Sequence, residues 1–187
     1  MITLWGFILG LPLLAFGGVL LLSPGLARRF VEWFRGSRSV AAVLTTVAWF
    51  WTAYECDNLG IASIDRFTKI FPGQLWLMAT VLVPLTIAWM PKNLSVRALS
   101  GVLMLMPAEL FKTTHMYRPP SGVLFAPIDL FVYAAYVGIV TGMYGMFYPW
   151  SLEAKMDRLL ASGVAARAAG GALAALGAAI TTTGCLV

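Results

Sequence analysis

In PAELFKTTHMYRPP, residues 107–120, the chain places Glu109, Lys112, His115 and Arg118 within ten residues, although only 11% of its 187 residues are charged. On a helix turning about 100° per residue, a carboxylate, an amine and an imidazole three apart fall within about 120° of one another. Such a face can hold an internal ion pair, relay a proton, or take an ion or a small polar ligand. Three further acids belong to the same level. Asp129 lies a few residues into the next apolar run, and Glu55 and Asp57 stand at the outer end of an earlier one. The sequence therefore predicts a polar cluster of Glu55, Asp57, Glu109, Lys112, His115 and Asp129. Asp129 has a second explanation. Pro127 suits the first residue of a helix, which puts the acid in the first turn, where exposed amides and the helix dipole favour it.

Other chemistry is scarce. One histidine and two cysteines, Cys56 and Cys185, give no disulfide framework and no multi-ligand metal site. Both cysteines fall at outer ends of apolar runs, which leaves a disulfide between them open. A bis-histidine haem is excluded, and His115 with a methionine is the haem ligation that composition leaves. A serine or cysteine nucleophile would need His115 as its base, and no local signature supports one. Lys112, Arg118, Pro119 and the following PSG resemble fragments of the membrane phosphatase signature. The Lys-to-Arg spacing is one short, and Val123 stands where that signature needs histidine. No catalytic residue, cofactor or metal is expected.

The elements that must position the cluster are membrane elements. The chain is 60% hydrophobic with a mean hydropathy of +0.84, whereas soluble domains are about 45–50% apolar and about 25% charged. Apolar runs near 4–23, 39–56, 73–91, 97–116, 124–147 and 168–186 each approach the ~20 residues that a helical crossing needs. They predict an all-α polytopic bundle of six transmembrane helices, a single domain over 1–187. Membrane strands would show a two-residue alternation that these runs lack.

Arg28, Arg29, Arg35, Arg38, Lys92, Arg97, Lys155, Arg158 and Arg167 lie in alternate loops; the opposite loops hold only Arg66, Lys69 and Arg118. That bias puts the basic loops in the cytoplasm and both termini outside, in a bacterial inner (cytoplasmic) membrane. The net charge of +5 is thereby assigned to topology, with no nucleic-acid partner. The opening MITLW lacks a basic n-region, so no cleaved signal peptide is expected. Trp5, Trp51, Tyr54 and Trp76 fall near the outer boundary, and Trp33, Trp89, Tyr148 and Trp150 near the inner one, as amphipathic rings favour.

With span four starting near Arg97, Glu109 lies about 18 Å along it, past the middle of a core about 30 Å thick. A charge there costs about 2.5–3.5 kcal/mol on insertion scales. Pairing with Lys112, protonation, or a water-filled cavity would each relieve it, and all three turn the face from lipid. Small residues four apart allow helices to approach closely in lipid. Gly6 and Gly10 are so spaced, as are Gly138 and Gly142, and Gly170, Ala174 and Ala178 form a third ridge. Each can pack within the chain or grip another subunit. Pro12, Pro84 and Pro107 free the carbonyls of Ile8, Thr80 and Leu103.

Three loops are amphipathic and suit short helices on the membrane surface or against a partner. In one, Phe30, Trp33 and Phe34 share a face. Leu152, Met156, Leu159 and Leu160 recur in another, with Ser151 placed to cap it. Ile61, Ile64, Phe67 and Phe71 recur in the third. Together these features predict a non-catalytic integral subunit or scaffold of a larger membrane assembly. Its partners are the lipid bilayer and other membrane subunits or further copies of itself. The alternative is a small transporter or channel for an ion, proton or polar solute, working through the outer-half cluster.

Overall fold

The computed structural model describes residues 2–58, 69, 73–89, 92–115 and 128–186, with backbone alone at 113–115. Among the described residues every regular element is a helix: α1 (Ile2–Leu22), α2 (Pro24–Gly36), α3 (Arg38–Asn58), α4 (Gln74–Trp89), α5 (Leu94–His115), α6 (Asp129–Phe147), α7 (Pro149–Ala161) and α8 (Gly163–Leu186). The punctuation between them is short and chemically specific. Ser23 precedes Pro24, and its carbonyl accepts from the amides of Leu26 and Ala27. The Ser37 hydroxyl accepts from the Val40 amide at 3.3 Å and that of Ser162 from Ala165 at 3.4 Å, so serines cap α3 and α8. Asn93 takes a left-handed φ of 56° just before α5, a conformation that asparagine tolerates, and its carbonyl accepts from Arg97. α7 opens on Pro149 at its first position rather than on a Ser151 cap.

Among the described residues four helices are long and apolar enough to cross a bilayer: α1, α5 over Leu94–Lys112, α6 and α8. The two other expected crossings fall short by themselves. α4 has 16 residues, about 24 Å against a core of about 30 Å. α3 is 21 residues long but is diluted by three threonines, Arg38, Glu55 and Asp57.

Contacts divide the chain into two compact units. The first comprises Met1–Trp33, Glu109–Val137 and Ser151–Val187. Its spine is the antiparallel pair α1–α8, packed through glycine. Gly6 lies against Gly184, Gly10 against Gly177 and Thr181, and Gly17 against Gly170 and Ala174. A methyl group at Gly17 would sit 2.5 Å from the Ala174 amide nitrogen, and one at Gly177 would sit 2.5 Å from that of Leu14. Backbone thus touches backbone. The bulky residues of α1, among them Leu4, Phe7, Ile8 and Leu11, point outward while Gly6, Gly10 and Gly17 are buried. Water would not tolerate that arrangement; lipid does.

The contact on α8 runs through Gly170, Gly177 and Gly184, a seven-residue repeat, and Ala174 of the expected Gly170, Ala174 and Ala178 ridge also lies against Gly17. Gly10 and Gly17 repeat the spacing on α1. A seven-residue period keeps a contact stripe facing its partner along a left-handed crossing. At one end of the pair, α2 contributes Ala27 and Val31, and α7 contributes Met156 and Leu160. These close a core with Leu20 and Ala166. Phe30 stacks between Phe16 and Trp33 but stays exposed.

The second unit comprises Phe34–Ala108 and Gly138–Trp150. α3 packs on α4, with the Trp49 indole donating to Thr86 Oγ1 at 3.0 Å and Phe50 against Trp76. α5 and α6 run antiparallel. Gly142 lies over the Ser100 carbonyl, and Gly138 over the carbonyl of Leu103. The latter is the group that Pro107 frees, so a neighbouring glycine covers it.

Candidate functional site

Each member of the expected polar cluster belongs to one unit or the other. In the first, Lys112 Nζ donates to Glu109 Oε1 at 2.9 Å, one turn apart on α5. Their side chains keep 49% and 27% of their exposure. α5 begins at Leu94, three residues before the expected start. Counted from there, Glu109 lies about 22 Å along the helix and Lys112 about 27 Å. The pair therefore sits nearer the far end of the helix than the sequence implied. Between the two, Phe111 packs on Tyr136 of α6 with ring centroids 5.5 Å apart. His115 ends α5, and its side chain lies outside the described residues, as do Arg118 and Pro127. Asp129 stands in the first turn of α6, where an acid is favoured by the exposed amides.

In the second unit, Glu55 is buried on α3 at 4% exposure and accepts a 3.0 Å hydrogen bond from the Trp51 indole one turn earlier. Asp57 is exposed. Cys56 and Cys185 are both free thiols. The third amphipathic segment, with Ile61, Ile64, Phe67 and Phe71, lies outside the described residues.

The second unit also contains a cavity of about 410 Å³ that no single stretch of sequence announces. Four helices line it: α3 with Thr45, Trp49 and Thr52, α4 with Thr86, the first two turns of α5 with Arg97 and Gly101, and the end of α6 with Phe147. Its volume falls in the range of about 300–1,000 Å³ usual for small-ligand sites. The wall is overwhelmingly apolar. Thr45, Thr52 and Thr86 each donate their hydroxyl to a carbonyl one turn earlier, at 2.7 Å. Among the described residues of the lining, Arg97 is the one that carries a charge. A second cavity of about 400 Å³ in the first unit is bounded among the described residues by apolar side chains, including Pro12, Phe16, Val19 and Phe30.

No family model, curated protein or solved structure matches this chain. The chemistry on offer is therefore that of its own side chains. Among the described residues no three His, Cys, Asp or Glu side chains group as a metal site would need.

Proposed function

We propose that this chain is a non-catalytic integral subunit or scaffold of a larger membrane assembly. In this reading α3 and α4 complete six crossings alongside α1, α5, α6 and α8, and the chain acts as one transmembrane domain. α2 and α7 lie at the cytoplasmic face with the basic residues, and both termini are outside, in a bacterial inner membrane. The exposed rings of Trp33, Trp89, Tyr148 and Trp150 support that placement, because indole and phenol favour the headgroup level.

The observation that carries the reading is the Glu109–Lys112 pair. The two side chains pair at 2.9 Å one turn apart on α5, as a structural ion pair does. They nonetheless remain partly exposed on an apolar helix. A polar surface of that kind in hydrocarbon is costly and favours a protein neighbour. The glycine faces of α1, α6 and α8 are already filled from within the chain, so the face around Glu109 and Lys112 is the better place for a second subunit.

Native mass spectrometry of the full chain, extracted in mild detergent, tests this. The wild type is expected to carry a second protein or a second copy. The Glu109→Gln, Lys112→Met double variant is expected to lose it while its helical circular dichroism persists. A wild type that is solely monomeric, with no membrane protein cross-linked at Lys112, would end the proposal. Solute or proton flux in proteoliposomes abolished by Glu109→Gln would favour a transporter instead.

A further inference from the structure

We infer that the four-helix cavity of the second unit is a binding site for one anionic phospholipid, its phosphate on Arg97 and an acyl chain along the apolar wall. Three observations converge on that ligand. The first is shape and polarity. A ligand-sized space is walled by Trp49, Ala98, Gly101 and Phe147, and its threonine hydroxyl protons are spent on backbone carbonyls. Such a wall offers an apolar chain contact and offers a polar solute little.

The second is the guanidinium. Arg97 is half-buried in the lining, and its side chain makes no hydrogen bond or ion pair with the described residues. Guanidinium is always charged and its planar fork of donors matches phosphate oxygens. A charge at the edge of an apolar cavity is best satisfied by an anion that brings its own apolar body.

The third is position. The cavity touches the first turns of α5 and the last residues of α6. At the same end of the unit, α3 begins at Arg38 and Lys92 precedes α5, both exposed. Basic residues near an apolar surface attract anionic headgroups, each contributing about 1 kcal/mol. Trp89, at the end of α4, marks the same level as an interface, 79% exposed. Phosphate at the rim and chain within follow the direction a lipid already has in its leaflet.

The test uses the full chain, delipidated in micelles, with dioleoyl phosphatidylglycerol, dioleoyl phosphatidylcholine and oleate as probes, and native mass spectrometry as the readout. Wild type is expected to retain one phosphatidylglycerol at least about fivefold more tightly than phosphatidylcholine, the ratio that about 1 kcal/mol from one arginine gives. Arg97→Gln should erase that preference, and Arg97→Lys should restore part of it. Gly101→Leu, which fills the cavity from α5, should weaken both phospholipids together. Lys92→Gln, which removes only the general attraction of the surface for anions, should cost less than Arg97→Gln. Equal retention of the two phospholipids by wild type would overturn the inference. So would an equal loss from Lys92→Gln and Arg97→Gln, which would mark diffuse surface charge. Tighter binding of oleate than of phosphatidylglycerol would reassign the cavity to a single-chain acid. If Arg97→Gln does not fold, the wild-type comparison and Arg97→Lys still decide.

Discussion

Gly17 and Gly18 are adjacent on α1, yet alanine should act at them in opposite directions. At Gly17 the new methyl would stand 2.5 Å from the Ala174 nitrogen, 2.8 Å from the Gly170 carbonyl oxygen and 3.0 Å from the Ala174 Cα. All three are backbone atoms of α8, so no side chain can rotate away. Ordinary contact begins near 3.4 Å, so the helices must part by roughly 1 Å locally. Overpacking of this kind costs about 1–3 kcal/mol. At Gly18 nothing lies within 4 Å of the added methyl. There only the helix propensity changes, about 1 kcal/mol in favour of alanine. That gain applies to both sites and cancels in their difference. Gly17→Ala should therefore be less stable than Gly18→Ala by about 1–3 kcal/mol, roughly 5- to 150-fold in the unfolding equilibrium. Denaturation of the purified chain by SDS in mixed micelles, followed by circular dichroism, measures this. If Gly17→Ala were as stable as Gly18→Ala, α1 and α8 would not be in backbone contact.

The remaining predictions concern polar groups. Glu55→Ala leaves the Trp51 indole without its acceptor beside a buried site and should cost about 1–3 kcal/mol, with Glu55→Gln losing less; the same micelle titration and the tryptophan emission maximum report it. A double-mutant cycle of Trp49→Phe and Thr86→Val should give a coupling of about 0.5–1.5 kcal/mol between α3 and α4, read as non-additive unfolding free energies. Lys112→Gln should destabilise the isolated chain by less than about 1 kcal/mol, because the pair is partly exposed and one turn apart, and a larger loss would mean that the pair organises its unit. Ser162→Ala removes the cap of α8 and should cost about 0.5–2 kcal/mol, visible as faster amide exchange at Ala165 and Ala166.

The helical class was legible because hydropathy over a window the length of a crossing is a sum, and sums forgive single residues. α1 and α8 survive their glycines for that reason, while α3 and α4 fall short through threonines, acids and length. Helix starts were less legible. α8 begins at Gly163, not near 168, because Ser162 caps it and Arg167 can face outward, whereas a charge in sequence reads as the end of an apolar run. The glycine contacts were half visible. A search for residues four apart finds Gly6, Gly10, Gly138, Gly142 and Gly170, but passes over Gly17, Gly177 and Gly184, whose spacing of seven is meaningful only beside a second helix with the same period. The polar stretch around Glu109 stood out in sequence because charge is rare here. The cavity at Arg97 did not, since its wall is assembled from four helices and none of its residues is unusual alone.

The antiparallel spine has a consequence for biosynthesis. Gly10 and Gly17 leave the ribosome with the first helix, while Gly170 and Gly177 arrive with the last. The entropy of closing so long a loop grows only slowly with its length, but the groove on α1 must wait, open to lipid or to a chaperone, until α8 has been inserted. The first unit thus zips shut only once α8 has been made, and a nascent chain stalled before α8 would present an unfilled glycine groove as a mark of incompleteness.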